Sequence, residues 1–143
     1  MALGFQITVD CENPHPLAAW WALTLGWEVE PSDENFIREM VRQGLANQDD
    51  TEVFNNALVW REGCAIRNYE EPSAPRVLFQ KVPEKKTVKN RLHFDVRLAD
   101  LTLDETRADL IARGASFLHE ASQGPHRWYT MADPEGNEFC ITE

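Results

Sequence analysis

The sequence predicts an α+β protein made of two strand–helix–strand–strand–strand modules, with a curled mixed sheet and helices on its outer face. Three observations support this fold class: short segments that alternate between apolar and polar residues, helical segments with clear start and stop signals, and a weak internal repeat. The 143 residues can bury enough surface to fold as one domain. We expect a single domain, 1–143, with a first module at 1–83 and a second at 90–143.

The first module opens with a strand and a helix. Residues 4–10 alternate between apolar and polar side chains, which is typical of a half-buried strand. Asn13 is the expected N-cap of a helix that Gly26 ends. Trp20 and Trp21 are expected to pack this helix against the sheet.

The rest of the first module contains an insertion. Apolar residues at helical spacing predict a second helix over about 33–46, within an insertion at about 33–52. The triplet 61–63 is expected to form a hairpin turn between two strands. The strands expected in this half lie at 27–30, 57–60, 64–69 and 77–82.

The second module repeats the opening pattern. Residues 91–97 alternate, and Leu92 is expected to face the core with the other apolar residues of this strand. Thr102 and Glu105 form a capping box for a helix that ends at Gly114. Further strands are predicted at 115–119, 127–131 and, after the Asp-Pro-Glu-Gly turn at 133–136, at 138–142.

Charge and composition exclude several functional classes. The net charge of -10 disfavours binding to nucleic acid or to an anionic membrane surface, and no apolar run approaches the length of a membrane span. The N-terminus lacks a signal-peptide pattern, so we expect a cytoplasmic location. Cys11, Cys64 and Cys140 are widely spaced and are expected to be free thiols.

The internal repeat brings four polar residues into correspondence. Gln6 aligns with His93 at the start of each module, and Gln80 aligns with Cys140 in the last strand of each. Each lies on the strand face opposite the helices. In a curled sheet that face lines a cavity, so these four side chains are expected to converge on it.

Three motifs resemble the vicinal oxygen chelate superfamily, which groups glyoxalase I, fosfomycin and bleomycin resistance proteins and extradiol dioxygenases. They are Leu-Gly-Trp at 25–27, the segment 89–96 and the segment 131–140. The resemblance implies the glyoxalase/bleomycin resistance/dioxygenase fold, in which two βαβββ modules form a U-shaped cup, often within a homodimer. It spans most of the chain except about 31–56.

In metal-dependent members, the first and last strands of each module supply the ligands of one divalent ion. Here Gln6, Gln80, His93 and Cys140 match those positions, and this set lacks the carboxylate that hard cations need. We therefore expect no cofactor. A divalent ion such as Zn, Fe, Mn or Ni would be expected to use Gln6, His93 and Glu138.

The resemblance implies a small-molecule ligand in the cup. One hypothesis is a lyase, isomerase or dioxygenase in which His93 and Glu138 transfer protons. A second is a non-catalytic protein that sequesters an antibiotic or metabolite, and a third is a structural or assembly role in which the protein's own side chains fill the cup. The remaining candidate ligand-binding residues offer amide, thiol, indole or guanidinium groups: Gln6, Gln80, Cys140, Trp27, Trp60, Trp128 and Arg97.

Overall fold

The computed structural model describes residues 1–143, which divide into two compact units, 1–85 (unit 1) and 86–143 (unit 2). The chain is of the α+β class, as predicted. Unit 1 contains β1 (Ile7–Cys11), α1 (Pro14–Leu25), β2 (Glu28–Val29), α2 (Glu34–Arg42), β3 (Thr51–Phe54), β4 (Ala57–Trp60), β5 (Gly63–Arg67) and β6 (Val77–Lys81). Unit 2 contains β7 (Asp95–Arg97), α3 (Leu103–Ala112), β8 (Ser116–Gln123), β9 (His126–Ala132) and β10 (Glu138–Thr142).

The main sheet of unit 1 has the strand order β1-β6-β5-β2. Strand β1 is parallel to β6, and the other neighbours are antiparallel. Helix α1 packs against this sheet and buries Trp20 and Trp21, as expected. Gly26 ends the helix with φ +67°, a left-handed conformation that favours glycine.

The sheet of unit 2 has the order β7-β10-β9-β8, so its first strand is again parallel to its last. Helix α3 begins with the predicted capping box, in which the Thr102 hydroxyl accepts a hydrogen bond from the Glu105 N–H at 3.2 Å. Phe139 and Ile141 on β10 are fully buried, whereas the alternate residues are half-buried. This alternation confirms the half-buried strand predicted at the C-terminus.

The turn before β10 also forms as predicted. The Asp133 carboxylate accepts hydrogen bonds from the backbone N–H groups of Glu135 (2.9 Å) and Asn137 (3.0 Å). The Gly136 N–H donates to the Asp133 carbonyl at 2.8 Å. Gly136 has φ +88°, which explains why glycine occupies this position.

The insertion in unit 1 differs from its prediction. Helix α2 ends at Arg42, and a short 3₁₀ turn at Gln48–Asp50 leads into a hairpin of β3 and β4. The expected hairpin through 61–63 is wrong because β4 pairs with β3. The turn of the actual hairpin is Asn55-Asn56, with φ +49° and +64°, and asparagine tolerates this conformation better than most residues.

Two predicted strands are shorter at their N-terminal ends. Strand β1 starts at Ile7, which is opposite Val77, the first residue of β6. Strand β7 starts at Asp95, and Leu92, which was expected in the core, is 90% exposed. Alternation alone does not reveal where a partner strand begins, and these two strands were therefore predicted too long. No helix of the chain has both the length and the apolar character that a membrane crossing requires.

Candidate functional site

A cleft of about 510 Å³ lies in unit 1. We call it the unit-1 cleft. Its walls come from β5, β6, the end of β4, the segment 30–33 and α2. Two residues predicted to bind ligand, Trp60 and Gln80, line it together with Phe36, Cys64 and Leu78. The cleft therefore presents aromatic, aliphatic and amide groups to one volume.

An ion pair forms one wall of the unit-1 cleft. The Arg76 guanidinium donates two hydrogen bonds of 2.8 Å to the Glu30 carboxylate, and Arg67 also contacts this carboxylate. The hydrogen bond from Arg76, with help from Arg67, lowers the pKa of Glu30 to about 2. Burial and the Glu30 charge raise the pKa of Cys64 to about 11. At neutral pH the cleft thus contains a neutralised ion pair and a protonated thiol.

His15 lines the unit-1 cleft but was missed in the sequence. It lies in the first turn of α1, is 6% exposed, and its Nε2 is 2.7 Å from the Trp60 carbonyl oxygen. Because a carbonyl only accepts, Nε2 carries the proton in this contact. His15 thereby joins α1 to the end of β4. No pattern in the sequence indicates this role, because the contact joins residues 45 positions apart.

Gln6 and Gln80 are far apart along the strand direction of the unit-1 sheet. Gln80 is opposite Asp10, and Asp10 lies four residues after Gln6, a distance of about 13 Å in an extended chain. Gln6 accepts a hydrogen bond of 3.1 Å from Arg76 through its side-chain oxygen. The residue opposite Thr8, two positions after Gln6, is Leu78.

Three metal-ligating side chains of unit 2 lie close together: His93, Asp95 and Cys140. We call them the His93–Asp95–Cys140 cluster. One ligand atom of each lies within 4.8 Å of the others, and His93 Nδ1 is 3.1 Å from Asp95 Oδ1. Asp95 is opposite Cys140 in the parallel ladder, which places both side chains on one face. Burial and the nearby Asp95 charge raise the pKa of Cys140, while Thr130 Oγ1, 3.6 Å from its sulfur, acts in the other direction.

Glu138 has other partners. Its carboxylate accepts hydrogen bonds from the Asn90 N–H at 2.9 Å and from Lys86 Nζ at 3.0 Å. Burial opposes ionisation of Glu138, but these two donors lower its pKa to about 2. The carboxylate that contacts His93 is therefore that of Asp95.

Two further predicted residues follow the same face of the unit-2 sheet. Thr142 is opposite both Arg97 on β7 and Trp128 on β9. Residues opposite each other in a ladder share a face, and Cys140 lies two positions before Thr142. Arg97, Trp128 and Cys140 therefore lie on one face. Trp27, which follows α1 in unit 1, is half-buried.

The comparison with protein families decides the identity of the fold. A model described as a glyoxalase-like domain matches residues 6–142. The chain belongs to the glyoxalase-like family. This membership confirms the resemblance to the vicinal oxygen chelate superfamily. The comparison with curated proteins found no match.

Solved structures agree with this assignment. The glyoxalase-like chain is 12% identical to FosX, a genomically encoded fosfomycin resistance protein of Listeria monocytogenes, with a TM-score of 0.63 and coverage of 99% of this chain and 93% of FosX. A mutant of that FosX, in complex with Mn(II) and a dihydroxypropylphosphonic acid, gives a TM-score of 0.64 at 12% identity, over 99% of this chain and 92% of that one. A glyoxalase/bleomycin resistance protein/dioxygenase family enzyme of Burkholderia phytofirmans is 12% identical, with a TM-score of 0.58 over 96% and 94% of the two chains. At sequence identities this low, the structural similarity establishes the fold alone.

The donor groups of the glyoxalase-like protein differ in their suitability for a metal ion. Gln6 and Glu138, two members of the set expected from the sequence, already accept hydrogen bonds from cationic side chains. The His93–Asp95–Cys140 cluster offers nitrogen, oxygen and sulfur at short range. Such a mixed set suits a borderline or soft divalent ion better than the hard ions that prefer oxygen.

Proposed function

We propose that this glyoxalase-like protein binds a small organic molecule in the unit-1 cleft. The observation that carries the proposal is the cleft itself. Its volume of about 510 Å³ lies within the range of about 300–1,000 Å³ typical of small-molecule sites. It combines the aromatic walls of Phe36 and Trp60 with a lining that is otherwise mostly polar or charged.

The cleft residues indicate the chemistry of the ligand. Phe36, which is 53% exposed, and the half-buried Trp60 offer ring surfaces for a planar group. Gln80 offers both an amide donor and an acceptor. Glu30 neutralises Arg76, and the rest of the lining has the carboxylates of Asp33 and Glu62 against one lysine, Lys81, which leaves one excess negative charge. We therefore expect a planar ligand that is neutral or cationic.

Binding is tested by calorimetry with a panel of planar compounds of similar size that are cationic, neutral or anionic. The variant Gln80→Ala is expected to weaken binding by about 3- to 10-fold, the effect of one hydrogen bond of about 1 kcal/mol. The matched control is Gln123→Ala, an exposed position on β8 of unit 2. Equal binding by both variants, or no binding by any compound, would count against the cleft.

A second candidate is catalysis as a lyase, isomerase or dioxygenase. It is favoured by the contact of 3.1 Å between His93 Nδ1 and Asp95 Oδ1, which orients the imidazole for proton transfer through Nε2. In this proposal His93 transfers the proton, Asp95 positions its ring, and Glu138 acts as a permanent negative charge.

Replacement of His93 separates catalysis from binding. In an enzyme, His93→Gln is expected to lower kcat by about 100-fold or more while ligand affinity stays within a few-fold. The measurement is turnover and calorimetry on the same preparation, with His126→Gln as the control because His126 is an exposed histidine of the same unit. Turnover that survives His93→Gln would exclude this mechanism.

We also propose a cytoplasmic location and a homodimer. The free thiols of Cys11, Cys64 and Cys140 support a reducing compartment. The outer strand β8 supports association, because Phe117 and Leu118 are 37% and 46% exposed there.

A further inference from the structure

His15 brings an imidazole ring from helix α1 into the lining of the unit-1 cleft. The residue is only 6% exposed, and its ring is held from two directions. Nε2 is 2.7 Å from the Trp60 carbonyl oxygen, and the ring centroid is 5.5 Å from that of Phe54, with the two planes tilted by 30°. A polar ring held in place by its neighbours is well suited to recognise a ligand, because its atoms are already in position.

The contact with Trp60 decides which ring nitrogen of His15 carries the proton. A carbonyl oxygen only accepts hydrogen bonds, so the proton of the neutral ring lies on Nε2 and Nδ1 has a lone pair. The nearest carboxylate oxygen, Glu52 Oε1, is 3.8 Å from the same Nε2, which is beyond hydrogen-bond range. Nδ1 has no hydrogen-bond partner within the protein. It is therefore an acceptor for a donor group on a molecule that enters the cleft.

The charges of the cleft lining favour a cation as that molecule. Glu30 and Arg76 neutralise each other, and the carboxylates of Asp33 and Glu62 stand against the single ammonium of Lys81. One negative charge is therefore in excess. A planar cation also gains from the aromatic walls, since a ring face attracts positive charge.

We propose that the unit-1 cleft recognises a planar organic cation that carries an N–H group, and that His15 Nδ1 accepts the hydrogen bond from this N–H. The His15 Nε2–H keeps its hydrogen bond to the Trp60 carbonyl, so the neutral ring offers the ligand an acceptor. Protonated aminoheterocycles and amidines belong to this ligand class. The inference rests on the binding function proposed for the cleft, and it adds a recognition residue and a charge class.

Two probes that differ in their N–H groups test the proposal. The first, 4-aminoquinoline, is a planar cation with N–H donors at neutral pH. The second, 4-(dimethylamino)-1-methylquinolinium, has the same ring and charge but no N–H. By calorimetry, the wild-type protein is expected to bind the first about 10-fold more tightly, the effect of one hydrogen bond that involves a charged group. Equal affinity for the two probes overturns the proposal.

The variant His15→Gln isolates the contact. Glutamine keeps an amide donor for the Trp60 carbonyl but lacks the imidazole acceptor. The preference for 4-aminoquinoline is expected to fall from about 10-fold to about 2-fold or less, while the affinity for the methylated probe stays within about 2-fold. The control His126→Gln, at an exposed histidine of unit 2, should keep the wild-type preference. A full preference in His15→Gln overturns the proposal.

Nitrogen NMR of the wild-type protein locates the proton without any variant. Long-range proton–nitrogen spectra at neutral pH are expected to show His15 protonated on Nε2 and unprotonated on Nδ1. Addition of 4-aminoquinoline should move the Nδ1 resonance toward that of a protonated nitrogen, and the methylated probe should not. A proton on Nδ1 in the free protein, or the same Nδ1 response to both probes, overturns the proposal.

The variant Phe36→Ala separates this inference from the function on which it rests. Loss of this aromatic wall is expected to weaken both probes by a similar factor of about 5-fold. If it does so while the wild type binds both probes equally, the cleft stands as a binding site and the role of His15 is overturned. If Phe36→Ala changes neither affinity, or neither probe binds the wild type, the proposed function and this inference both fail.

Discussion

At the scale of single residues, the neighbours of Glu138 change the role expected for its carboxylate. Glu138 was predicted to transfer protons because it lies two positions from Cys140 on one strand face. In the structure its side chain is only 17% exposed and is bound by Lys86 and by the Asn90 N–H. A carboxylate held in this way is a weak base, and Asp95 takes the place beside His93.

The contacts of Glu138 predict a pH dependence of stability. Its pKa falls from 4.5 to about 2 on folding, so its contribution is fully present above pH 4.5 and is lost as the pH falls toward 2. Glu138→Gln is expected to lower the free energy of unfolding by about 1–2 kcal/mol at pH 7. Urea unfolding from pH 7 to pH 3 should show this difference shrink.

The exposed Glu84→Gln serves as the control for that series. It should alter the unfolding free energy by less than about 0.5 kcal/mol at any of these pH values. A pH-independent difference for Glu138→Gln would mean that its contacts do not depend on the charge.

At the scale of elements, the β3–β4 hairpin shapes the unit-1 cleft. Trp60, the last residue of β4, lines the cleft. Helix α2 packs beside β4 and contributes Phe36 to the lining. The Glu34 side chain on α2 accepts a hydrogen bond from the Leu58 N–H. Helix α2 and the hairpin that follows it therefore supply the two aromatic walls of the candidate ligand site.

The turn of this hairpin can be tested by a pair of substitutions at Asn56. With φ at +64°, Asn56→Ala is expected to cost about 1 kcal/mol, because alanine is strained in the left-handed region. Asn56→Gly should stay within about 0.5 kcal/mol of the wild type. Urea unfolding measures both, with Asn35→Ala on the exposed side of α2 as the control. Equal effects of the alanine and glycine variants would contradict the turn geometry.

At the scale of the whole molecule, ligand binding should increase the free energy of unfolding, because only the folded chain has a cleft that can bind the ligand. A ligand at 100 times its Kd is expected to raise the free energy of unfolding by about 2.7 kcal/mol. For a domain of this size the melting temperature should rise by about 5–10 °C. Thermal unfolding by circular dichroism measures the shift.

The same measurement on Gln80→Ala should require a several-fold higher ligand concentration for an equal rise in melting temperature. A compound that binds by calorimetry but leaves the melting temperature unchanged would be binding the unfolded chain as well, which a built cleft does not allow.

The parts of the fold that the sequence predicted have local causes. Gly26 ends α1, Thr102 and Glu105 cap α3, and the turn at Asp133 precedes β10, because each signal and its effect lie within a few residues. Family motifs extended these local signals to the α+β class and the superfamily. Gln80 and Trp60 were also predicted for a ligand site, and both line the unit-1 cleft.

The register of the paired strands could not be predicted from the sequence. A pairing shifted by two residues keeps every side chain on the same face, so alternation cannot tell whether Leu78 or Gln80 takes in unit 1 the place that Cys140 takes in unit 2. In the structure, Asp95 is opposite Cys140 and Thr8 is opposite Leu78. Because Asp95 and Thr8 lie two positions after the aligned residues His93 and Gln6, the residue that corresponds to Cys140 is Leu78. The register also decided that His93 meets Asp95 and Cys140, while Glu138 meets Lys86.

The sequence by itself determined the helix caps, the turn at Asp133, the alternation of the strands and the family, because those features depend on neighbours along the chain. Only the tertiary structure decided which polar groups lie within bonding distance of one another. Those distances depend on where each strand meets its partner, and partners such as Asp95 and Cys140 are separated by more than forty positions in the chain.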